Sequence, residues 1–551
     1  MIFTTSLLLS LLAFAEDKDR VYFVDASLEP EGELLGGRFL DVDGDGKFEL
    51  CLVVDSDGER ELRLHRVQPG RIDPEPYRSV VVKDDVVAFA FADVREDLVA
   101  SGSGRDELLF MTKDGFYSYS LERKGYRGNI KRLIRDELLF DVANPDRLPE
   151  WRFVLPSQWG DRVLVPGKDG VSVWGPGPGA VAIDAASSSD AGAMAGFVSL
   201  GRFPGAVGAG HVTSPEEYEH GDEDEDHDHT TVSVGSSGVR IQVTPDADTL
   251  LMPAGEDEAF QLLTSERSYG APALTDVDRD GNADLLFAVG KELRIHFSRA
   301  EGFSEMADRI EVFPAYLDRE GSQPTLFLRD LDGDGDTDIV AEMSEEQKGL
   351  ENTETSLFCL INDGERLLPE DPHQLLRFKA AYLRIEFADI DGDGRLDLAL
   401  RKFELPSMLE SVTGFEFTLT HLVFLGQQMG TPFERKPCLR QSRSYDETNF
   451  QDIIANRELD MDCDGDGISD LVEVDLKGRI AIRRLKHTSS FFGGDSWKLE
   501  STPWKRFEVY GNVESVSVKD VNGDGVGDVI SEGEKAMTVL LSQRRTQEKG
   551  R

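Results

Sequence analysis

The chain has 551 residues, with 60 Lys+Arg against 105 Asp+Glu and a formal net charge of -45. That balance excludes the cationic surface that nucleic-acid phosphates require and makes cations the expected partners. Hydrophobic residues at 39% and aromatics at 9% suit buried sheets rather than a disordered acidic chain, and the length favours a repeat architecture over one ordinary core.

In chain order, residues 1–15 read as a secretory signal peptide. An apolar run from Ser6 ends in Ala13, Phe14 and Ala15 before Glu16, although no Lys or Arg precedes it. The residue directly after that point is Glu16 rather than a Cys that could accept a lipid, and no later segment approaches the roughly 18 apolar residues of a membrane span. The mature chain is therefore expected to be soluble and secreted, periplasmic or at the cell surface. Next comes a short strand pattern, RVYFVDA at 20–26, and then the first acidic loop, DVDGDGKFEL from 41.

That loop recurs as DVDRDGNADL from 276, DLDGDGDTDI from 330, DIDGDGRLDL from 389, DCDGDGISDL from 462 and DVNGDGVGDV from 520. Each has oxygen side chains at positions 1, 3, 5 and 9 and Gly at position 6. In order, these positions are Asp41, Asp43, Asp45 and Glu49; Asp276, Asp278, Asp280 and Asp284; Asp330, Asp332, Asp334 and Asp338. The remaining loops supply Asp389, Asp391, Asp393 and Asp397; Asp462, Asp464, Asp466 and Asp470; Asp520, Asn522, Asp524 and Asp528. Position 7, which offers its carbonyl, is Lys47, Asn282, Asp336, Arg395, Ile468 and Val526.

The flanks repeat as well. Alternating residues precede each loop, as in YLRIEFAD at 382–389, and a short apolar run follows it, then a Gly-containing turn and another alternating strand. Three further segments align although their loops have decayed: ELLFMTKDGFYSYS at 107–120, RVLVPGKDGVSVWG at 162–175 and TTVSVGSSGVRIQV at 230–243. Position 9 then falls at 49, 107, 162, 230, 284, 338, 397, 470 and 528, a period of about 60 residues, inside the range of solenoids and propellers.

Such a unit holds about four short strands, one antiparallel sheet, and sheets arranged radially form a propeller. The predicted fold is all-β: a multi-bladed propeller of four-stranded antiparallel blades with calcium-binding loops, over residues 20–543, with a polar tail at 544–551. The last unit is one strand short, and residues 20–26 are positioned to supply it and close the ring. Nine aligned units leave two arrangements open, one large ring or a ring with an appended sheet.

These loops and their spacing resemble the FG-GAP or VCBS repeat family, whose best-known relative is the propeller of integrin alpha chains. The resemblance covers about residues 35–541. It implies a calcium ion in each intact loop, seven or eight blades, and a binding or adhesion role outside the cell. The chain departs from the family in lacking clear FG and GAP dipeptides.

The residues themselves also point to calcium. This hard cation takes six to eight oxygen ligands at about 2.3–2.6 Å, and carboxylates at alternating positions of a curled loop converge on one point, with Gly at position 6 permitting the turn. An EF-hand would need Glu at position 12 and flanking helices. Position 12 here is Leu52, Phe287, Ala341, Leu400, Glu473 and Ser531, so only one of the six fits.

The tract EEYEHGDEDEDHDH at 216–229 reads as an acidic, solvated insertion. A sharper reading is weak zinc or nickel binding through His220, His227 and His229, since imidazole suits those metals. Cys51, Cys359, Cys438 and Cys463 are too sparse for a disulfide scaffold. No HExxH, GxSxG, phosphate-cradling loop or paired-Cys motif occurs, and His65, His296 and His421 lie in strand-like alternation. The expected function is a secreted, non-catalytic binding or adhesion scaffold for an extracellular glycan or protein. The alternative is a calcium-dependent carbohydrate-active enzyme such as a polysaccharide lyase, because some of those lyases resemble this repeat family.

Overall fold

The alternating segments form strands, and their burial explains their composition. In the computed structural model the described residues run from 21 to 545, apart from 43–45, 95–106, 113, 120–129, 135–147, 149, 152–153, 168–169, 177–196, 205–229, 236–237, 244–272, 319–323, 346–352, 363, 365, 381, 405–415, 429, 447–456, 476–477, 491–493, 510–512 and 534–535. Third strands such as Glu59–Gln68 alternate between buried and more exposed positions. Second strands such as Glu49–Ser56 and Asp397–Glu404 are buried almost throughout. Both faces of a second strand are covered by neighbouring blades, so its sequence loses the period of two and becomes a short apolar run.

Eight four-stranded antiparallel sheets follow one another along the chain. Blade 1 comprises Glu33–Leu40, Glu49–Ser56, Glu59–Gln68 and Arg78–Val82, with the short strand Arg71–Ile72 added to Glu59–Gln68. Blade 2 comprises Val86–Ala92, Glu107–Thr112, Gly115–Tyr119 and Ile130–Ile134, and blade 3 Val154–Leu155, Arg162–Gly167, Gly170–Pro176 and Phe197–Pro204. Blade 4 is built from Ala273–Thr275, Asp284–Val289, Glu292–His296 and Arg309–Val312, and blade 5 from Thr325–Arg329, Asp338–Glu345, Glu354–Leu360 and Gln374–Lys379. Blade 6 contains Tyr382–Ala388, Asp397–Glu404, Glu416–Phe424 and Leu439–Asp446. Blade 7 contains Arg457–Met461, Asp470–Val474, Ile480–Arg483 and Lys505–Phe507, with a hairpin, Leu485–Ser490 and Gly494–Leu499, inserted before its outer strand. Blade 8 joins Val513–Lys519, Asp528–Gly533 and Met537–Arg544 to the N-terminal strand Val21–Asp25.

Every second strand begins at a residue where the repeat places position 9. The ninth aligned unit, at 230, is different: Thr230–Gly235 and Gly238–Val243 pair only with each other, as a two-stranded hairpin between blades 3 and 4. The ring with an appended sheet is therefore the arrangement found.

The cores lie between blades. Leu50, Leu52 and Val54 of blade 1 share a cluster with Ile530, Val539 and Leu541 of blade 8. Val340 and Leu357 of blade 5 pack with Leu398 and Leu400 of blade 6. Adjacent acidic loops come close enough that only glycine fits at one point: Gly392 has φ 75, and a Cβ there would meet the Gly467 carbonyl of the next loop.

The strand Val21–Asp25 closes the ring by pairing antiparallel with Met537–Arg544, Val21 opposite Arg544 and Asp25 opposite Leu540. Val21 is fully buried, and Phe23 packs edge-on against Phe507 of blade 7. All four cysteines are unbridged thiols. Removal of residues 1–26 is expected to destabilise the protein by about 3 kcal/mol, the worth of the buried Val21 and the half-buried Phe23, and to lower the thermal unfolding midpoint; an unchanged midpoint would show that the ring does not depend on this strand.

Candidate metal centres

The acidic loops connect the inner strand of a blade to its second strand. Gly at position 6 turns the chain, and its amide donates to the first carboxylate: Gly281 to Asp276 at 2.8 Å, Gly335 to Asp330 at 3.0 Å, Gly394 to Asp389 at 2.9 Å and Gly467 to Asp462 at 2.8 Å. The same bond is made by Gly46 to Asp41 and by Gly525 to Asp520. Position 1 is thus fixed by the loop's own backbone before any ligand is considered.

Position 9 is fixed more firmly. Asp284 and Asp338 are fully buried and Asp397 and Asp470 are 1% exposed. One carboxylate oxygen accepts the amide of position 2: Val277 to Asp284, Leu331 to Asp338, Ile390 to Asp397, Cys463 to Asp470 and Val521 to Asp528. The other oxygen accepts an amide that follows the third strand of the same blade: Ser298, Asn362, Gly426 and Leu485, respectively, for the first four. One buried carboxylate therefore ties two connections together. Glu49 makes the first of these bonds to Val42 in blade 1.

The repeat also explains two residues that motif reading passed over. Glu107, at position 9 of blade 2, accepts the amide of Val94 at 3.0 Å, so the clasp survives where the loop pattern has decayed. In blade 3 that position is Arg162, 1% exposed, whose guanidinium donates to Ser298 Oγ at 2.7 Å and lies 5.0 Å from the Trp159 ring centroid. Both were visible in the alignment, as an acid and a base at position 9.

Four loops bring positions 1, 3 and 9 together. The groups Asp276, Asp278 and Asp284; Asp330, Asp332 and Asp338; Asp389, Asp391 and Asp397; and Asp462, Asp464 and Asp470 each offer three carboxylate oxygens within 4.8 Å of one another, a spacing that could hold a metal ion. Position 5 lies outside these groups. Asp280, Asp334, Asp393 and Asp466 instead accept the amide of position 7 in their own loops. Asn282 and Asp336, at position 7, are both buried beside the loop, and Asn282 Oδ1 accepts the Gln158 amide of blade 3 at 3.0 Å.

The sixth loop differs because position 3 is an amide. Asn522 Nδ2 donates to Asp528 Oδ1 and to the Ser542 carbonyl, both at 2.9 Å, and the Val526 carbonyl accepts Ser542 Oγ at 3.2 Å. Asp524 accepts the Val526 amide. In the first loop Asp43 and Asp45 lie outside the described residues, as do His220, His227 and His229, while Lys47 is exposed. His65, His296 and His421 are all buried; the first two contact the carbonyls of Asp73 and Ser304 through Nδ1, and His421 accepts from Arg457.

Packing three carboxylates together out of water is unfavourable unless they are protonated or balanced by a cation. Burial, with further repulsion from the neighbouring loop carboxylates, pushes Asp284 and Asp338 up to about 7, Asp397 to about 6 and Asp470 to about 8. A folded-state pKa above the unfolded value contributes stability at low pH that is lost as pH rises through the folded value. Without divalent cations, the thermal midpoint should therefore fall as pH rises from about 4 to about 8, and excess divalent cation should flatten that profile; a metal-free midpoint independent of pH would contradict the arrangement. Asp338→Ala should cost about 3 kcal/mol, because it leaves two buried amides without acceptors, measurable by denaturant unfolding.

Residues 330–400, which contain two of these loops, match the FG-GAP-like repeat family. No curated protein matches the chain. Two solved structures align over nearly its whole length: the WD40 domain of coronin from Toxoplasma gondii, at 9% identity over 96% of this chain and 88% of that one with a TM-score of 0.32, and BBS1N in complex with ARL6DN, at 9% identity over 95% and 98% with a TM-score of 0.27. Among the described residues no helix is long and apolar enough to cross a membrane. The chain is an eight-bladed β-propeller that carries an FG-GAP-like repeat at residues 330–400.

Proposed function

We propose that this protein is a secreted, calcium-binding propeller that acts as a non-catalytic scaffold for a glycan or protein ligand. The observation that carries this reading is repetition: the same carboxylate triad stands in four successive blades, at 276–284, 330–338, 389–397 and 462–470. An ion that braces a blade is needed once per blade, whereas a reaction centre is needed once per molecule. The donor set is all oxygen, which suits a hard cation rather than zinc or copper. Position 5 and the position 7 carbonyl would add ligands, and the first and sixth loops would bring the number of sites to six.

Export is the natural setting for such loops. At a calcium concentration a hundredfold above the dissociation constant, each site would add about 2.7 kcal/mol of stability. The reading predicts that a chelator lowers the thermal midpoint by several degrees and that calcium restores it, and it is abandoned if the midpoint is indifferent to chelator. A glycan array on the calcium-loaded chain is expected to show saturable binding without product formation. Turnover of an acidic polysaccharide to unsaturated fragments would replace the scaffold reading with that of a calcium-dependent lyase.

A further inference from the structure

The four triads share a geometry and differ in the charges beside them. In loop 462–470, Lys486 Nζ donates to Asp466 at 2.9 Å and to Asp464 at 3.3 Å, and Arg484 Nη1 donates to Asp464 at 3.3 Å. Lys486 belongs to the hairpin inserted in blade 7, and Arg484 immediately precedes it. In loop 330–338 the basic residue comes from the preceding blade: Arg279 Nη2 reaches Asp334 at 3.0 Å, and Arg279 also pairs with Asp336. In loop 389–397, Arg395 pairs with Asp393 of its own loop. Among the described residues, no basic side chain is in ion-pair contact with Asp276, Asp278, Asp280 or Asp284; Arg162 and Arg299 act on Asp280 and Asp278 only through longer-range attraction.

Arg279 stands at position 4, where the other five loops have Gly. Its φ is 62, a left-handed conformation that is unfavourable for a residue with a Cβ. A side chain held there against that cost, and directed to the next blade's loop, has its compensation in Asp334 and Asp336.

Resting on the reading of these loops as calcium sites, we propose that Lys486 with Arg484, Arg279 and Arg395 are tethered counter-ions that grade calcium affinity around the ring. Loop 276–284 fills first. Loop 462–470 fills last, because its ion enters only as Lys486 is driven from Asp464 and Asp466. A bound basic side chain stabilises the metal-free loop and opposes the divalent ion, so its removal acts on the two states in opposite directions. With water-like screening, the repulsion between a divalent ion and an ammonium about 5 Å away is worth roughly tenfold in affinity. A residue that merely packs would weaken both states when removed.

The test uses the full chain, stripped with chelator and titrated with calcium by calorimetry, alongside Lys486→Ala, Lys486→Arg and Arg279→Gly. In Lys486→Ala the number of ions should be unchanged, the weakest class should tighten roughly tenfold, and the metal-free protein should melt below the wild type. Lys486→Arg should restore wild-type behaviour. Arg279→Gly, which also relieves the left-handed backbone, should tighten a different class. If the wild type binds calcium but both removals leave every affinity unchanged or weaker, the counter-ion proposal is overturned and the calcium reading stands. If the wild type binds no calcium, both fall together.

Discussion

The buried carboxylate at position 9 is the constraint on which the rest of each blade depends. A blade has two connections at the end where its acidic loop lies, one from inner to second strand and one from third to outer strand. Both leave backbone amides that must find acceptors once covered by a neighbouring blade. Asp338 serves both, accepting Leu331 at 2.8 Å and Asn362 at 2.7 Å, and Asp397 does the same for Ile390 and Gly426. The side chain replaces a ladder that strands cannot continue, but it brings a charge into a dry place. Positions 1 and 3 then add further negative charge within 4.8 Å. The fold has thus satisfied its amides by creating an electrostatic deficit, and cations or protons are what remove it.

The loops are not independent, because successive blades touch through them. Thr337, at position 8 of one loop, donates to the Asp276 carbonyl of the loop before it. Ser469 gives its amide to the Ile390 carbonyl, and the Gly527 amide bonds the Asp462 carbonyl. An ion that fixes one loop therefore also fixes the carbonyl on which the next one rests. Mechanical continuity runs the same way through the apolar clusters between blades, and the strand Val21–Asp25 completes it by joining the first residues of the ring to the last blade. Braced loops and a closed ring are two answers to one problem, namely that a blade alone has two uncovered faces.

The sequence displayed most of this fold because its period is short and its loops are distinctive. All nine positions aligned as position 9, from Glu49 to Asp528, open a strand. The number of blades was less legible: the segment at 230–243 has the alternation of a hairpin and forms one, and alternation alone does not report whether two further strands join it. Glu107 kept its role while the residues before it lost the motif, so a pattern based on four acids overlooked a function carried by one. The ion pairs at position 5 were invisible for a different reason. They depend on which basic side chain a neighbouring blade or hairpin brings near, and Arg279 with Asp334, or Lys486 with Asp466, are contacts across connections that no local pattern encodes.

Blade 3 shows what happens when the acid is given up. Arg162 occupies position 9, and burial lowers its guanidinium to about 10, yet it donates to the Ser298 hydroxyl of blade 4 and stacks against Trp159 and Phe303. Here the positive charge is covalently part of the chain, and the tie it makes runs between blades rather than within one. The adjoining Asn282 points the same way, its side-chain oxygen taking the Gln158 amide of blade 3. Position 9 thus ties the ring in two ways, through a carboxylate that accepts backbone amides and through an arginine that donates across a blade seam. One is a carboxylate that leaves a deficit for a soluble cation, and the other is an arginine that leaves none. Blades 4 to 7 use the first, where three carboxylates lie within 4.8 Å of one another and could hold a cation. Blade 3 uses the second, in which the charge at the seam with blade 4 comes from the chain itself. Asn522 in blade 8 is intermediate, since a neutral amide donor meets Asp528 without adding charge. Negative charge is thus distributed unevenly around the propeller, as a consequence of which residue stands at positions 3 and 9 of each unit.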